Sequence, residues 1–273
     1  MDMSLFTLLC SLLLVCANIR AETNSDANSI PSDLQAMILN DIKAHRLSAE
    51  AGDINAMVQL ADDYSISYPP DEAQSLKWYM QAAELGNSEA MLKLGNIFHE
   101  KKLINKAKDW YEKAASAGNA EAMFKLSTIY LNGDLPKDEF KSLDWLQKSG
   151  INGERFAMFL LGNHFLFGTN PLLPKDIDKA IEWLTKAANK NNLSAIFQLA
   201  SIYTNGVYIQ KNEELAQIWA NKAKQQGDPS AECMLNQQIK FAKEPPMAGI
   251  QTVKYLNACN PNLVRQIEAE ANK

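Results

Sequence analysis

The residues able to do chemistry in this chain are few and scattered. Its three histidines, His45, His99 and His164, stand far apart, and none shares a metal-ligand spacing with another or with a cysteine. No serine has a lysine three residues on, so the Ser-x-x-Lys pair that would activate a serine nucleophile is missing. There is no Gly-x-Ser-x-Gly elbow, no Gly-rich phosphate loop and no paired-histidine helix motif. Two of the four cysteines, Cys10 and Cys16, lie in an apolar N-terminal segment, which leaves Cys233 and Cys259. An even pair in an oxidising compartment suggests a disulfide between them; two separate buried thiols are the other reading. The expectation is a protein that is not an enzyme and carries no cofactor and no metal.

The bulk composition points the same way. The 273 residues are 47% hydrophobic and 22% charged, an ordinary globular balance, and the net charge of −5 leaves no basic footprint for nucleic acid. No apolar run is long enough to span a bilayer. Leu5 to Ala17 (LFTLLCSLLLVCA) is apolar for only 13 residues and is followed by the polar run ETNSDANS at 22–29. That pattern predicts a signal peptide within residues 1–21, cut after Ala17 or Ala21, and an exported protein, periplasmic or secreted. A polar linker over 22–32 follows.

The elements that must position any site are set by a repeat. Tryptophans stand at 78, 110, 145, 183 and 219, and 12 residues after each comes an alanine: Ala90, Ala122, Ala157, Ala195 and Ala231. Ala56 opens the first unit, and successive alanines are 34, 32, 35, 38 and 36 residues apart. Counting the alanine as zero, position +4 is Leu (Leu60, Leu94, Leu126, Leu161, Leu199). Position +5 is small (Ala61, Gly95, Ser127, Gly162, Ala200), and +8 is aromatic (Tyr64, Phe98, Tyr130, Phe165, Tyr203). These offsets share one helical face. A second helix carries the Trp and ends at Gly86, Gly118, Asn-for-Gly at Asn191, Gly153 or Gly227, residues suited to a left-handed helix stop. The next residue (Asn87, Asn119, Glu154, Asn192, Asp228) is placed to cap the following helix. Trp-to-alanine spacing is constant while alanine-to-Trp spacing varies, so the turn between units is fixed and the turn inside each unit absorbs insertions. The indole rings are expected to be buried wedges between consecutive hairpins.

These units resemble Sel1-like repeats, relatives of tetratricopeptide repeats. Both patterns share Leu-small-x-x-aromatic in the first helix, but Trp in the second helix before Lys-Ala-Ala, as in WYEKAA (110–115) and WLTKAA (183–188), favours the Sel1-like pattern. The likeness covers roughly residues 44–240. It departs at Lys148-Ser149-Gly150 and at the first two intra-unit turns, which lack the glycine of Gly133, Gly168 and Gly206. The resemblance implies an all-α fold: an α/α solenoid, a right-handed superhelix of about five helical hairpins over 33–240 with half-repeat caps. A C-terminal helical cap is expected over 241–273.

Function is then expected on a surface. If first helices line a concave face, as in similar solenoids, the +6 residues Asp62, Asn96, Thr128, Asn163 and Ser201 form a column of short polar side chains able to bond an extended peptide. Beside it at +9 stand Ser65, His99, Leu131, Leu166 and Thr204. The longest turn, GTNPLLPKD at 168–176, brackets Leu172 and Leu173 with prolines, to grip a partner or to fold back over the helix ends. The reading is an exported scaffold or adaptor for protein partners in the cell envelope or in host interaction, with no transmembrane span and no small-molecule ligand. The alternative is an enzyme or inhibitor acting on cell-wall or β-lactam substrates, because some Sel1-like proteins are linked to penicillin; nitrocefin turnover by the purified protein discriminates the two. On export from a bacterial host, the mature chain is expected to begin at Asn18 or Glu22, read by N-terminal sequencing, and an intact Met1 would overturn the leader.

Overall fold

A computed structural model describes residues 32–226 except 68, 133 and 207. The leader, the linker, the half-repeat from Ala231, the tail and the Cys233/Cys259 pair lie outside the described residues. Among those described, the regular structure is helical, with a single isolated bridge between Asn170 and Leu173. Backbone contacts divide the chain after Gly86.

The first body holds α1 (Ser32–Glu50), α2 (Ile54–Ile66) and α3 (Glu72–Glu84), each packed on the next. The second holds α4 (Ser88–Glu100), α5 (Ile104–Ser116), α6 (Ala120–Asn132), α7 (Glu139–Ile151), α8 (Arg155–Phe167), α9 (Ile177–Asn189), α10 (Leu193–Asn205) and α11 (Glu213–Gln225), again in sequential contact. Every helix after α1 has 13 residues. The repeated offsets become the core. Alanines 90, 122, 157 and 195 and leucines 60, 94, 126, 161 and 199 are all fully buried.

Two backbone devices keep the hairpins alike. In the second body the turn from one hairpin to the next is always 117–119, 152–154 or 190–192, three residues long. Gly118, Gly153 and Asn191 take positive φ there, and the amides of Gly118 and Asn119 return to Ala115 and Ala114 carbonyls, as do their counterparts in the other turns. This closes the helix end on its orphan carbonyls. Inside a hairpin the turn length varies, yet each closes on one bond type. The amide of Asp71, Leu103, Asp138, Asp176 or Asn212 donates to the carbonyl of the +8 aromatic Tyr64, Phe98, Tyr130, Phe165 or Tyr203. Insertions bulge between those two fixed points. Asp138 and Asp176 also accept backbone N–H bonds from Lys141 and Lys179, which hold their carboxyls below the usual range. Such caps contribute stability above the ordinary carboxylate range and lose it as pH falls through the lowered value.

The tryptophans correct the expectation of buried wedges. Only Trp78 is buried, at 8% exposed; Trp110, Trp145, Trp183 and Trp219 are half-buried. Trp145, Trp183 and Trp219 still pack on the core, and Trp183 bridges hairpins, since a Cβ on Gly150 of α7 would come within 3.2 Å of Trp183 Cζ3 of α9. Each of the four has a lysine one turn on over its outer face, at 4.0 Å for Lys113, 4.5 Å for Lys148, 4.6 Å for Lys186 and 5.3 Å for Lys222. The indole seals the rim of the junction and its exposed face carries a cation; the centre belongs to Leu and Ala.

The small +5 residue allows the paired helix in. A Cβ on Gly95 would lie 2.5 Å from Tyr111 Cδ1, and one on Gly162 would lie 2.7 Å from Leu184 Cγ. Gly95→Ala is therefore expected to lower stability by about 1–2 kcal/mol in urea denaturation, although alanine is the better helix former. Lys102 fills a left-handed position in the α4–α5 turn, at φ 60, where the sequence lacks a glycine. Lys102→Gly is expected to raise stability by up to about 1 kcal/mol.

Candidate functional site

The +6 column does not stand free. In the first body the Tyr79 hydroxyl donates to Asp62 Oδ1 at 2.5 Å. In the second body the Tyr111 hydroxyl donates to Asn96 Oδ1 at 2.8 Å. Both tyrosines directly follow the repeat's Trp, so the second helix of a hairpin reaches across to the +6 residue of the first. The third repeat has Leu146 at that place, and Thr128 turns its hydroxyl to the Lys125 carbonyl at 2.8 Å. The fourth repeat has Leu184 there, and Asn163 Oδ1 is buried with no hydrogen-bond partner. Ser201 is half-buried and engaged within the protein.

Three expected residues do meet. Asn96, His99 and Thr128 line one depression of about 270 Å³ between α4 and α6, with Glu100, Tyr111, Lys125 and Ile129. Tyr111 is 1% exposed at its base, and burial, reinforced by the Glu100 and Glu121 charges, pushes its hydroxyl pKa up. The phenol therefore remains a donor. His99 Nε2 faces Asp134 Oδ2 at 3.1 Å on the rim.

Two expected residues leave the surface. Leu166 is 1% exposed, whereas Leu131, at the same +9 position in the third repeat, is 50% exposed. The difference is the longer turn. An Asx-type loop, with Asn170 Oδ1 accepting from the Leu172 amide at 2.8 Å, folds Leu173 into the core cluster that also contains Leu166. Of the two turn leucines, Leu173 folds back and Leu172 faces solvent.

An apolar strip escaped the sequence reading. Positions −1, +3, +6 and +10 fall on one narrow face at 100° per residue. In the second and third repeats they read Glu89, Lys93, Asn96, Glu100 and Glu121, Lys125, Thr128, Asn132; in the fifth, Ser194, Gln198 and Ser201 precede Asn205. The fourth reads Phe156, Leu160, Asn163, Phe167, with the apolar three 49%, 36% and 52% exposed. The signal was present in the sequence but needed all four offsets compared, rather than +6 and +9.

The remaining histidines stay local: His45 Nδ1 meets Asp63 Oδ2 at 2.6 Å, and His164 Nδ1 meets Thr169 Oγ1 at 3.0 Å. Among the described residues no group of three or more His, Cys, Asp or Glu side chains is placed to hold a metal. No described helix is long and apolar enough to cross a membrane.

With hairpin, stop and cap in place, the repeat pattern matches the Sel1 repeat model at 54–87, 88–119, 120–153, 155–192 and 193–228. The chain belongs to the Sel1 repeat family. Its solved neighbours include a protective antigen present in uropathogenic Escherichia coli strains, displaying an SLR fold. That likeness has 25% identity, a TM-score of 0.57, and covers 84% of this chain and 52% of the antigen. This Sel1 chain thus spans about half the antigen's length. A Sel1 repeat protein from Oxalobacter formigenes is 21% identical with a TM-score of 0.61, covering 86% of this chain and 99% of that one. The immunity protein Pa5087 from Pseudomonas aeruginosa is 18% identical with a TM-score of 0.50, covering 81% and 92%; these two likenesses concern the fold. No curated protein matches the Sel1 chain.

The two asparagines of the +6 column predict opposite outcomes for one substitution. Asn163→Leu removes a buried acceptor without a donor and is expected to raise stability by about 1 kcal/mol or more. Asn96→Leu strands the Tyr111 hydroxyl and is expected to lower it by about 1–3 kcal/mol. Urea midpoints for the two variants check the signs.

Proposed function

We propose that this Sel1 repeat protein is an exported, non-catalytic scaffold that binds a protein partner along the −1/+3/+6/+10 face of its first helices. One observation carries the reading. Phe156, Leu160 and Phe167 are exposed in the fourth repeat, where the second and third repeats hold charged or polar residues on the same face. Phe156 has Arg155 over its ring at 5.2 Å and Phe167 meets Tyr208 edge-on at 6.4 Å, yet both stay about half exposed, which leaves apolar surface for a partner. Completing the burial of these three side chains is worth roughly 2–4 kcal/mol, enough for an anchor within a larger interface.

The family supports the scaffold role, because helical-repeat proteins present extended surfaces of this kind. The N-terminal LFTLLCSLLLVCA segment supports export. Leu131 and the 270 Å³ depression add a polar-to-apolar gradient along the surface of the second and third repeats.

The test is a double substitution, Phe156→Glu with Leu160→Glu, used as immobilised bait in envelope extract beside the unaltered protein. A discrete partner retained by the natural chain and lost from the variant, whose helical circular dichroism is unchanged, supports the assignment. Equal retention by both baits overturns it.

A further inference from the structure

The depression between α4 and α6 allows an inference that rests on the scaffold reading above and names what one part of that surface recognises. Asn96 is held from behind. Gly95, next to it, has no side chain, and the Tyr111 ring occupies the space a Cβ would need. That seat brings the phenol oxygen to 2.8 Å from Asn96 Oδ1, and the hydroxyl donates to it. Burial keeps Tyr111 protonated, so the bond persists over the pH range in which the protein is handled. With Oδ1 engaged inward, the carboxamide has one remaining face. Its Nδ2 donors are directed away from Tyr111, and nothing among the described residues accepts from them.

The same depression contains an acceptor. Glu100, one turn further along α4, is exposed, lines the depression and lies close enough to Tyr111 for its charge to act on the phenol. It makes no ion pair among the described residues, and Lys125, on the facing helix, makes none either. A fixed amide donor and a carboxylate acceptor separated by one helical turn match a ligand that offers C=O and N–H on successive peptide groups. A volume of about 270 Å³ falls short of the usual range for drug-sized ligands. It suits a short stretch of a longer chain.

The other repeats show that the arrangement is particular to this place. In the first repeat the tyrosine holds Asp62, which has no donor to offer. In the third, Thr128 spends its proton on Lys125 O. In the fourth, Leu184 replaces the tyrosine and Asn163 is left without an orienting bond.

We propose that this depression binds one stretch of extended peptide. Asn96 Nδ2 donates to a backbone carbonyl of the peptide, Glu100 accepts a backbone N–H, and Tyr111 acts as the positioning residue that fixes the Asn96 amide. Recognition is of the main chain, with side-chain preference supplied by the apolar strip of the fourth repeat.

The experiment uses the purified protein and a phage-displayed library of random 12-residue peptides, with affinities of the enriched peptides measured by calorimetry. Tyr111→Phe and Asn96→Asp are each expected to weaken binding about tenfold or more, the loss of one hydrogen bond to a fixed donor. Asn96→Asp keeps the acceptor for Tyr111 and the fold, so its loss of affinity separates recognition from stability. A scan that methylates each backbone nitrogen of the best peptide is expected to find one position costing about tenfold on the natural protein and nothing on Glu100→Ala. Peptides that lose affinity on Phe156→Glu but bind Tyr111→Phe and Asn96→Asp normally overturn the backbone-reading site and leave the scaffold standing. A library that enriches no peptide overturns the backbone-reading site, while the scaffold reading is decided separately by the bait experiment above.

Discussion

Close approach of the two helices of each hairpin is the constraint on which the rest of the molecule depends. It is set at the small +5 position: Gly95 and Gly162 leave room for Tyr111 and Leu184, the residues after the Trp, and Ser127 meets Ser142 Oγ of its paired helix at 3.2 Å. With the helices that near, leucine at +4 is fully enclosed, and the rims are left for Trp to seal. A larger residue at +5 would separate the pair and open a gap under every one of those leucines. The same proximity gives the tyrosine hydroxyls their reach. Scaffold packing and site geometry thus come from one distance, and a substitution at Gly95 acts on both.

The division of labour between the two kinds of turn follows from what each must hold constant. A junction between hairpins sets the rotation of all that follows it, so it keeps three residues and a left-handed stop. A turn within a hairpin needs only to bring the second helix back into register. One amide-to-carbonyl bond on the +8 aromatic accomplishes that for every length present. Surface variation therefore collects in the turns inside hairpins, where Leu172, Leu135 and Asp134 are found.

The hairpins, their stops and their caps were legible because they are local: period, glycine and Asn or Asp recur at fixed offsets along one strand of text. Gly86, Gly118, Gly153 and Asn191 adopt the left-handed geometry expected of them. The site was less legible because its properties are set by pairs. Asn96 and Asn163 look equivalent until the residue opposite is read, tyrosine in one hairpin and leucine in the other. Leu131 and Leu166 look equivalent until the turn that covers only one of them is folded. The indoles were assigned too deep a place because ring size and spacing were read without Lys113, Lys148, Lys186 and Lys222, which stand three residues on and cover the rings that the junctions leave half-exposed.

One departure from the pattern is compensated within the same hairpin. Asn119 and Asn192 each cap their own helix and also donate from Nδ2 to the first carbonyl of the preceding first helix, Ser88 O at 3.4 Å and Arg155 O at 3.3 Å. At the third junction the cap is Glu154, which has no N–H to give, and Ser149 Oγ donates to Ala120 O at 2.7 Å instead. The serine that looked like an irregularity in Lys148-Ser149-Gly150 repairs the loss introduced five residues later. A gene duplication or deletion with its breakpoint between those codons would pair an amide-less cap with an alanine, or supply two donors for one carbonyl. Arrays of this kind are expected to grow and shrink in blocks that keep both residues together, so the inheritable unit is offset from the hairpin that the eye picks out.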